Sequence, residues 1–195
     1  MHILFLLAGK IFTPKEIQLT RNVVAKTLLT DDYQKAVHET LLSALITGED
    51  RRFMRHNGYD FTAIARAIIN NLRNSRIEGA STIEQQLTRT ITGNYEISLK
   101  RKIKEIIIAS SLKRKFSKKE IAYCYITIAY YGWQMNNLSQ AYKRLQFNSD
   151  KITTRQASEI IARLRYPEPR NPSIARIKKI SGRADFIEKN TPTAN

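Results

Sequence analysis

The sequence is poor in cysteine, histidine, glycine and proline. Its 195 residues include one cysteine, three histidines, seven glycines and five prolines. A single thiol, Cys124, excludes a disulfide framework and a cysteine-based metal cluster. Three scattered histidines (His2, His38 and His56) argue against a multi-histidine metal site. Glycine and proline fall where helices are expected to stop, and no alternation typical of strands repeats. These features predict a mainly α-helical chain.

The sequence also lacks a long hydrophobic run. The longest one near the start is Ile3 to Ala8, whereas a transmembrane helix needs about 20 apolar residues. No basic stretch precedes this run, which argues against a secretion signal. An N-terminal strand and the stub of a longer hydrophobic segment both remain open. We expect residues 1–30 to form an N-terminal segment without a full transmembrane helix, 31–190 the folded domain, and 191–195 a frayed tail.

Acidic residues are scarce relative to basic ones. The sequence has 33 Lys and Arg against 17 Asp and Glu, a formal charge of +16, and 42% of its residues are hydrophobic. The hydrophobic content is enough for a folded core. The charge points to a polyanionic partner, for which nucleic acid, an anionic membrane surface and a phosphorylated substrate are the candidate classes.

Apolar residues recur at helical spacing along most of the chain. Asp31 opens a predicted helix whose apolar face carries Val37, Leu41 and Leu45, and Gly48 is expected to cap its end. Two Ser-x-x-Glu patterns, at 81–84 and 117–120, predict helix starts with capping boxes. The remaining predictions are helices over about 61–72, 99–115 and 153–164, an extended segment at 166–172, and a last helix capped by Ser173.

The first cluster that could carry chemistry is EDRRFMRHNGYD, residues 49–60. It is too polar for a core and is predicted to be a loop. Glu49 is a candidate general base held by neighbouring arginines, with the alternative that the segment is a solvated salt-bridge loop. His56 by itself is more typical of a structural hydrogen-bonding residue.

The second cluster is GASTIEQQLTR, residues 79–89. A turn of small residues leads into a helix whose unpaired N–H groups and dipole favour an anion, and Gln85, Gln86 and Arg89 add side-chain donors. Glu84 complicates this hypothesis because it satisfies the cap but brings a negative charge close to the proposed site. The alternative is an ordinary well-capped helix.

The third cluster is KRKIKE, residues 100–105. On a helix, Arg101 and Lys102 share a face with Glu105. The functional interpretation is a basic wall, containing one acid, that faces a pyrophosphate; the alternative is a set of surface ion pairs. Positions 100–119 hold nine basic residues and one acid, which suits a nucleic-acid or an anionic-lipid surface. The opposite face is expected to be core and consists of Ile103, Ile106, Ile107 and Leu112.

Together and in this order, EDRRFMRHNGYD, GASTIEQQLTR and RKIKE resemble the motifs of the peptidoglycan glycosyltransferases, glycosyltransferase family 51. These are the transglycosylase domains of class A penicillin-binding proteins and the monofunctional transglycosylases. The resemblance covers about residues 37–172, and SKKEI and YPEPRNP are similar to later, weaker motifs. It implies a mainly helical, lysozyme-like domain, here over 31–190, with a small membrane-proximal jaw lobe.

The resemblance also implies a reaction and a site. Lipid II would be polymerised into glycan strands, with Glu49 as general base on the acceptor's 4-hydroxyl and undecaprenyl pyrophosphate as the leaving group. Glu105 would be the second acidic residue of the cleft, with a divalent cation, Mg or Mn, as a candidate beside it and no organic cofactor. The implied substrate-binding residues are Arg52, Phe53, His56, Ser81, Thr82, Gln85, Gln86, Arg89, Arg101 and Lys102.

The implied partners are lipid II, the nascent glycan strand, an anionic membrane surface and other cell-wall synthesis proteins, with no nucleic acid expected. The implied location is the bacterial cell membrane, peripheral on its extracytoplasmic (periplasmic) face. Lys113 to Lys115, Lys118 and Lys119 lie outside the motifs and suit contact with the bilayer.

The chain departs from the family pattern at several positions. Glu84 stands where threonine is usual, Arg89 where lysine is usual, and Lys113 where glutamate is usual. Both candidate catalytic glutamates are intact. Three alternatives stay open: a weakened or repurposed relative that binds lipid-linked or glycan substrate, a lysozyme-like glycan hydrolase, and a non-enzymatic basic module.

Overall fold

The computed structural model describes residues 13–73 and 81–192. Within these ranges the chain forms ten α-helices, a short 3₁₀ helix at Phe53–Arg55 and no β-strand, which confirms the mainly α-helical prediction. The apolar run at 3–8 and the break predicted at 74–80 lie outside the described residues. The helices are α1 (Pro14–Thr27), α2 (Asp31–Ala36), α3 (Glu39–Glu49), α4 (Phe61–Arg73), α5 (Ile83–Thr92), α6 (Leu99–Lys113), α7 (Lys118–Ile128), α8 (Leu138–Leu145), α9 (Thr154–Arg165) and α10 (Ile174–Asn190).

The chain divides into two compact units. The first unit comprises Met1–Val23 and Arg52–Ile121, and the second comprises Val24–Arg51 and Ala122–Asn195. The boundaries expected at residues 30 and 190 stay a prediction.

In the second unit, α3, α9 and α10 pack against one another. Gly48 lies at this contact, since a Cβ placed there would meet side-chain atoms of Ile161 and Ile187 at 3.0 Å. The expectation that Gly48 ends its helix is wrong, because α3 continues to Glu49. The glycine instead allows the three helices to approach closely.

The helix predicted to open at Asp31 is two helices in the structure. α2 ends at Ala36, and α3 begins at Glu39 after two non-helical residues. Val37 is therefore 44% exposed and does not join the apolar face, whereas Leu41 is fully buried.

In the first unit, α5 packs against α6. Ile107 and Leu112 of α6 are buried as predicted, but the expectation that Ile103 faces the core is wrong, because its side chain is 45% exposed. The α6 face that turns inward carries Glu105 instead, which is 3% exposed.

The capping box predicted at 81–84 is wrong. Thr82, rather than Ser81, is the N-cap of α5, and its hydroxyl accepts a hydrogen bond from the Gln85 N–H at 3.3 Å. Glu84 is fully buried and does not serve as a cap. This frees its carboxylate for the ion pair described below.

The other predicted helix starts are confirmed. The Ser117 N–H donates to the Glu120 carboxylate at 2.7 Å, and the Glu120 N–H donates to the Ser117 hydroxyl at 3.2 Å, which completes a capping box. Thr153 forms a second box at the start of α9, and Ser173 caps α10. Positions 166–172 are non-helical, as expected.

The helix α10 ends at Asn190, and the buried Thr191 follows as its C-cap. The last three positions of the predicted tail, 193–195, lie outside the described residues. In the part of the chain that the structure describes, every helix is too short or too polar to cross a bilayer.

Candidate active site

Glu105 is the centre of a charged cluster in the first unit. Arg89 on α5 donates from Nε to Oε1 at 2.8 Å and from Nη2 to Oε2 at 3.2 Å. Arg101, one turn earlier on α6, donates from Nη1 to Oε1 at 2.5 Å. The Nζ atom of Lys102 lies 3.9 Å from Oε2. Three cations around one carboxylate give this cluster a formal charge of +2, which suits an anionic ligand.

Lys102 links this cluster to the start of α5. Its Nζ donates to the Gln85 Oε1 at 2.6 Å and to the Ser81 hydroxyl at 2.9 Å. Arg89 reaches the same hydroxyl at 3.4 Å. Burial lowers the pKa of Lys102 to about 8; Glu105 opposes this shift and the two neighbouring arginines add to it. Lys102 therefore loses its positive charge at a lower pH than an ordinary lysine does.

Gly58 supports the start of α5 through its carbonyl. That oxygen accepts hydrogen bonds from the Thr82 hydroxyl at 3.0 Å and from the Gln85 amide at 3.2 Å. Gly58 has a φ of +90°, and a Cβ there would meet the backbone of Ala109 at 2.8 Å. Only glycine fits this close to α6, and the two hydrogen bonds to its carbonyl join the first motif to the second.

The first motif is more buried than a solvated loop would be. Phe53 is fully buried, and His56 and Asp60 are less than 10% exposed. The His56 Nδ1 accepts a hydrogen bond from the Gly58 N–H at 3.3 Å. The prediction that 49–60 is too polar for a core is therefore wrong for these three side chains, because they are buried in the first unit.

Glu84 and Lys118 form a buried ion pair in the first unit. Lys118 Nζ donates to the Glu84 Oε1, with side-chain exposures of 10% and 0%. The same ammonium lies 4.2 Å from the centre of the Phe53 ring and 3.5 Å from the His56 Nδ1. Lys118 is therefore turned inward, which corrects the expectation that it contacts a bilayer.

Arg52 is paired within the first unit. Its Nε donates to the Asp60 Oδ2 at 2.8 Å, while the Asp60 Oδ1 accepts from the Thr62 N–H at 2.9 Å and from the Ala63 N–H at 3.2 Å. Burial opposes ionisation of Asp60, but the hydrogen bonds from Thr62 and Ala63 and the charge of Arg52 hold its pKa below the usual range. Asp60 thereby secures the start of α4.

Glu49 lies in the second unit, at the last position of α3, with 12% of its side chain exposed. Its Oε1 is 3.6 Å from the Nη2 of Arg183 on α10. Arg183 also donates to the Gly48 carbonyl, and its guanidinium lies 5.3 Å from the centre of the Phe186 ring. The candidate base thus has a cationic neighbour that comes from the last helix.

The structure brings together six of the predicted site residues in one cluster: Ser81, Gln85, Arg89, Arg101, Lys102 and Glu105. Gln86 is half-buried on α5, and its backbone N–H donates to the Thr82 carbonyl at 3.0 Å. Thr82, Phe53 and His56 lie in the interior that supports the cluster. The roles of all these residues stay predictions.

Sequence reasoning missed Lys118, Asp60 and Arg183. The sequence of α10 could have indicated Arg183. Helical spacing places this residue on the same face as Ile180 and Ile187, which are both buried. A cation at such a core-facing position requires a partner. Lys118 carries no comparable local signal, because it stands among other lysines.

Comparison with known proteins assigns the chain to a family. Residues 16–191 match the family model described as Transglycosylase. Penicillin-binding protein 1A of Rickettsia typhi is 33% identical over 157 residues, which are 77% of this chain and 20% of that protein. Penicillin-binding protein 4 of Bacillus subtilis is 36% identical over 97 residues, 49% of this chain and 16% of that protein. The monofunctional glycosyltransferase of Staphylococcus saprophyticus is 32% identical over 109 residues, 56% of this chain and 40% of that protein.

The chain spans 20% of the length of the Rickettsia relative and 40% of the monofunctional one. The family match covers most of the chain, and the mainly helical structure agrees with the lysozyme-like fold that the resemblance implied. The predictions of family, fold class and enzyme class are confirmed. The chain therefore belongs to the transglycosylase family and is a glycosyltransferase domain.

Proposed function

We propose that this domain polymerises lipid II into glycan strands, with undecaprenyl pyrophosphate as the leaving group. The observation that carries the proposal is the excess of positive charge that Arg89, Arg101 and Lys102 provide around Glu105. A departing pyrophosphate needs cations to stabilise the negative charge that it takes with it. A domain that only cleaved glycan would release no such anion.

Glu49 is the proposed general base. A sugar hydroxyl is a weak nucleophile, so its proton must be removed as it attacks. Glu49 would accept the proton of the acceptor's 4-hydroxyl while that oxygen bonds to the donor's anomeric carbon and the bond from that carbon to pyrophosphate breaks. Glu105 suits a different role, since both its oxygens already accept hydrogen bonds from arginines. It would hold the cations in place for the pyrophosphate.

The remaining predicted site residues divide between binding and support. Ser81 accepts a hydrogen bond from Lys102 and would bind phosphate or sugar oxygens together with it. Gln85 is fully buried, accepts from Lys102 and donates to the Gly58 carbonyl, so it would hold the ammonium of Lys102 in place. Phe53 and His56 are buried and would support the binding residues by packing beneath them. These are proposed subsites for the donor.

A divalent cation beside Glu105 does not fit the residues present. Magnesium and manganese prefer several oxygen ligands at one point, but here Arg89 and Arg101 bond both carboxylate oxygens and Lys102 adds a third positive charge. A further cation would be repelled. We infer that Arg89, Arg101 and Lys102 themselves neutralise the pyrophosphate.

The proposed place of action is the surface of the bacterial cell membrane, on its extracytoplasmic face, with the nascent glycan strand as the second partner. Arg114, Lys115 and Lys119 are exposed in the first unit and suit anionic lipid headgroups. Other cell-wall synthesis proteins stay a prediction from the resemblance alone.

The proposal is tested with fluorescent lipid II in detergent micelles, with and without EDTA. We expect the purified chain to form glycan strands, resolved by electrophoresis, at the same rate in both buffers. Absence of glycan above that made by Glu49→Gln would overturn the polymerase assignment. If the chain then solubilises purified cell walls, the hydrolase alternative is favoured. If the polymerisation rate falls when EDTA is added, the proposal that Arg89, Arg101 and Lys102 neutralise the pyrophosphate without a metal is contradicted.

The charge of Lys102 predicts an alkaline limit to pyrophosphate binding. Because its pKa is lowered to about 8, its positive charge is complete well below pH 8 and is lost as the pH rises through that value. We expect affinity for a soluble isoprenyl pyrophosphate, measured by calorimetry, to fall by up to about tenfold for each pH unit above 8.

Two variants distinguish the loss of the Lys102 charge from other effects of alkaline pH on pyrophosphate affinity. Lys102→Arg keeps its charge at every pH used and should flatten the decline above pH 8. Lys104→Arg, on the same helix but paired with Glu16 at 3.2 Å, should leave the decline unchanged. An identical pH dependence in wild type and Lys102→Arg would show that Lys102 is not the titrating group.

A further inference from the structure

We propose that Arg183 on α10 is a positioning residue for the candidate base Glu49. This inference rests on the proposed function, because Glu49 is the base of that reaction. The observation is the ion pair between the Arg183 Nη2 and the Glu49 Oε1, which lie 3.6 Å apart and are partly buried in the second unit.

The pair is set by the way the helices meet. Ile187 lies one turn after Arg183 on the same face of α10, and its side chain occupies the space that a Cβ at Gly48 would need. Gly48 therefore lets α10 come close enough for Arg183 to donate to the Gly48 carbonyl. Glu49 is the next residue, so its side chain begins beside the guanidinium.

Arg183 is itself held on several sides. Its side chain is 18% exposed, its guanidinium lies over the Phe186 ring at 5.3 Å, and Arg51 lies over the same ring at 5.2 Å. A cation over an aromatic face is attracted to it. The bond to the Gly48 carbonyl fixes the guanidinium further, so Arg183 has little freedom to follow a moving carboxylate.

A fixed cation restricts the rotation of the Glu49 carboxylate. Proton transfer requires the accepting oxygen to lie within hydrogen-bond reach of the attacking hydroxyl, and a displacement of about 1 Å lowers the rate by about 100-fold. Arg183 would therefore act on the chemical step through Glu49. It need not touch the sugar or the pyrophosphate.

The test measures kcat and KM for lipid II in Arg183→Ala, Arg183→Lys and Lys179→Ala, an exposed control on the same helix. We expect Arg183→Ala to lower kcat by about 10- to 100-fold with KM changed less than about threefold. Arg183→Lys should recover part of kcat, and Lys179→Ala should match wild type. Equal kcat in wild type and Arg183→Ala overturns the proposal.

A double variant distinguishes positioning from general loss of structure. If Arg183 acts through Glu49, adding Arg183→Ala to Glu49→Gln lowers the residual rate no further. If the arginine only stabilises the fold, Arg183→Ala lowers the rate by the same factor with Glu49 and with Gln at position 49. The same would then hold for the fraction of folded protein, which thermal melting measures. That outcome would overturn the proposal.

Failure of the proposed function can be distinguished from failure of this inference. If wild type makes no glycan, the effect of Arg183 on Glu49 is measured instead in a crystal structure of Arg183→Ala. We expect the Glu49 carboxylate to leave its wild-type position in that structure. A carboxylate that stays in place without the arginine would overturn the inference, whatever the reaction is.

Discussion

Glu49→Gln is expected to lower the rate of lipid II polymerisation by about 10²- to 10⁴-fold, the range associated with loss of a general base. Glutamine has nearly the shape of glutamate but cannot accept the proton of the acceptor's hydroxyl. Because the amide keeps the volume at the end of α3, thermal stability should change little, and any change should follow from the lost ion pair with Arg183. The measurement is the initial rate with labelled lipid II.

Two comparisons make this result specific. Glu159→Gln removes a carboxylate of the second unit that is 30% exposed and paired with Arg155 on the same helix, and such pairs contribute little, so its rate should equal that of wild type. Binding of an isoprenyl pyrophosphate should be unchanged in Glu49→Gln. A Glu49→Gln variant that polymerises at the wild-type rate would remove Glu49 from the mechanism.

What the sequence predicted well is local. The cap at Ser117 and the extended segment at 166–172 depend on a few neighbouring residues, and both are present in the structure. The approach of Arg101 and Lys102 to Glu105 follows from helical spacing and is also confirmed. Each of these features depends only on residues that lie close together in the chain.

What the sequence could not predict depends on how helices meet. Gly48 has the pattern of a helix cap, but the packing of α9 and α10 against it requires a glycine inside the helix. Arg89 reaches Glu105 only because α5 packs on α6. Likewise, the pairing of Glu49 with Arg183 joins residues far apart in the chain. Periodicity gives no information on such contacts.

The basic run shows the same limit in electrostatic terms. Lys115, Lys118 and Lys119 look equivalent in the sequence, which predicts that all three face an anionic surface. In the structure Lys118 turns inward because Glu84 is fully buried, and a buried carboxylate needs a partner. A charge count over a segment therefore overstates the charge that the surface presents.

The ion pair of Glu84 and Lys118 predicts a large effect on stability. Lys118→Met is expected to lower the free energy of unfolding by about 3 kcal/mol, because it leaves a fully buried carboxylate without its cation. The change also removes the ammonium that lies 4.2 Å from the centre of the Phe53 ring. Urea denaturation followed by circular dichroism gives the measurement.

Matched variants test whether the charge or the side-chain volume is responsible. Lys119→Met alters the next residue, which is exposed, and should change the unfolding free energy by less than about 0.5 kcal/mol. Glu84→Met combined with Lys118→Met replaces both charges by apolar groups of similar volume and should return stability to within about 1 kcal/mol of wild type. The Glu84 Oε2 is buried without a hydrogen bond from the described residues, which makes such recovery easier, since the double change also removes that unsatisfied oxygen. If the double variant is as unstable as Lys118→Met alone, packing of the lysine stem rather than the ion pair accounts for the loss.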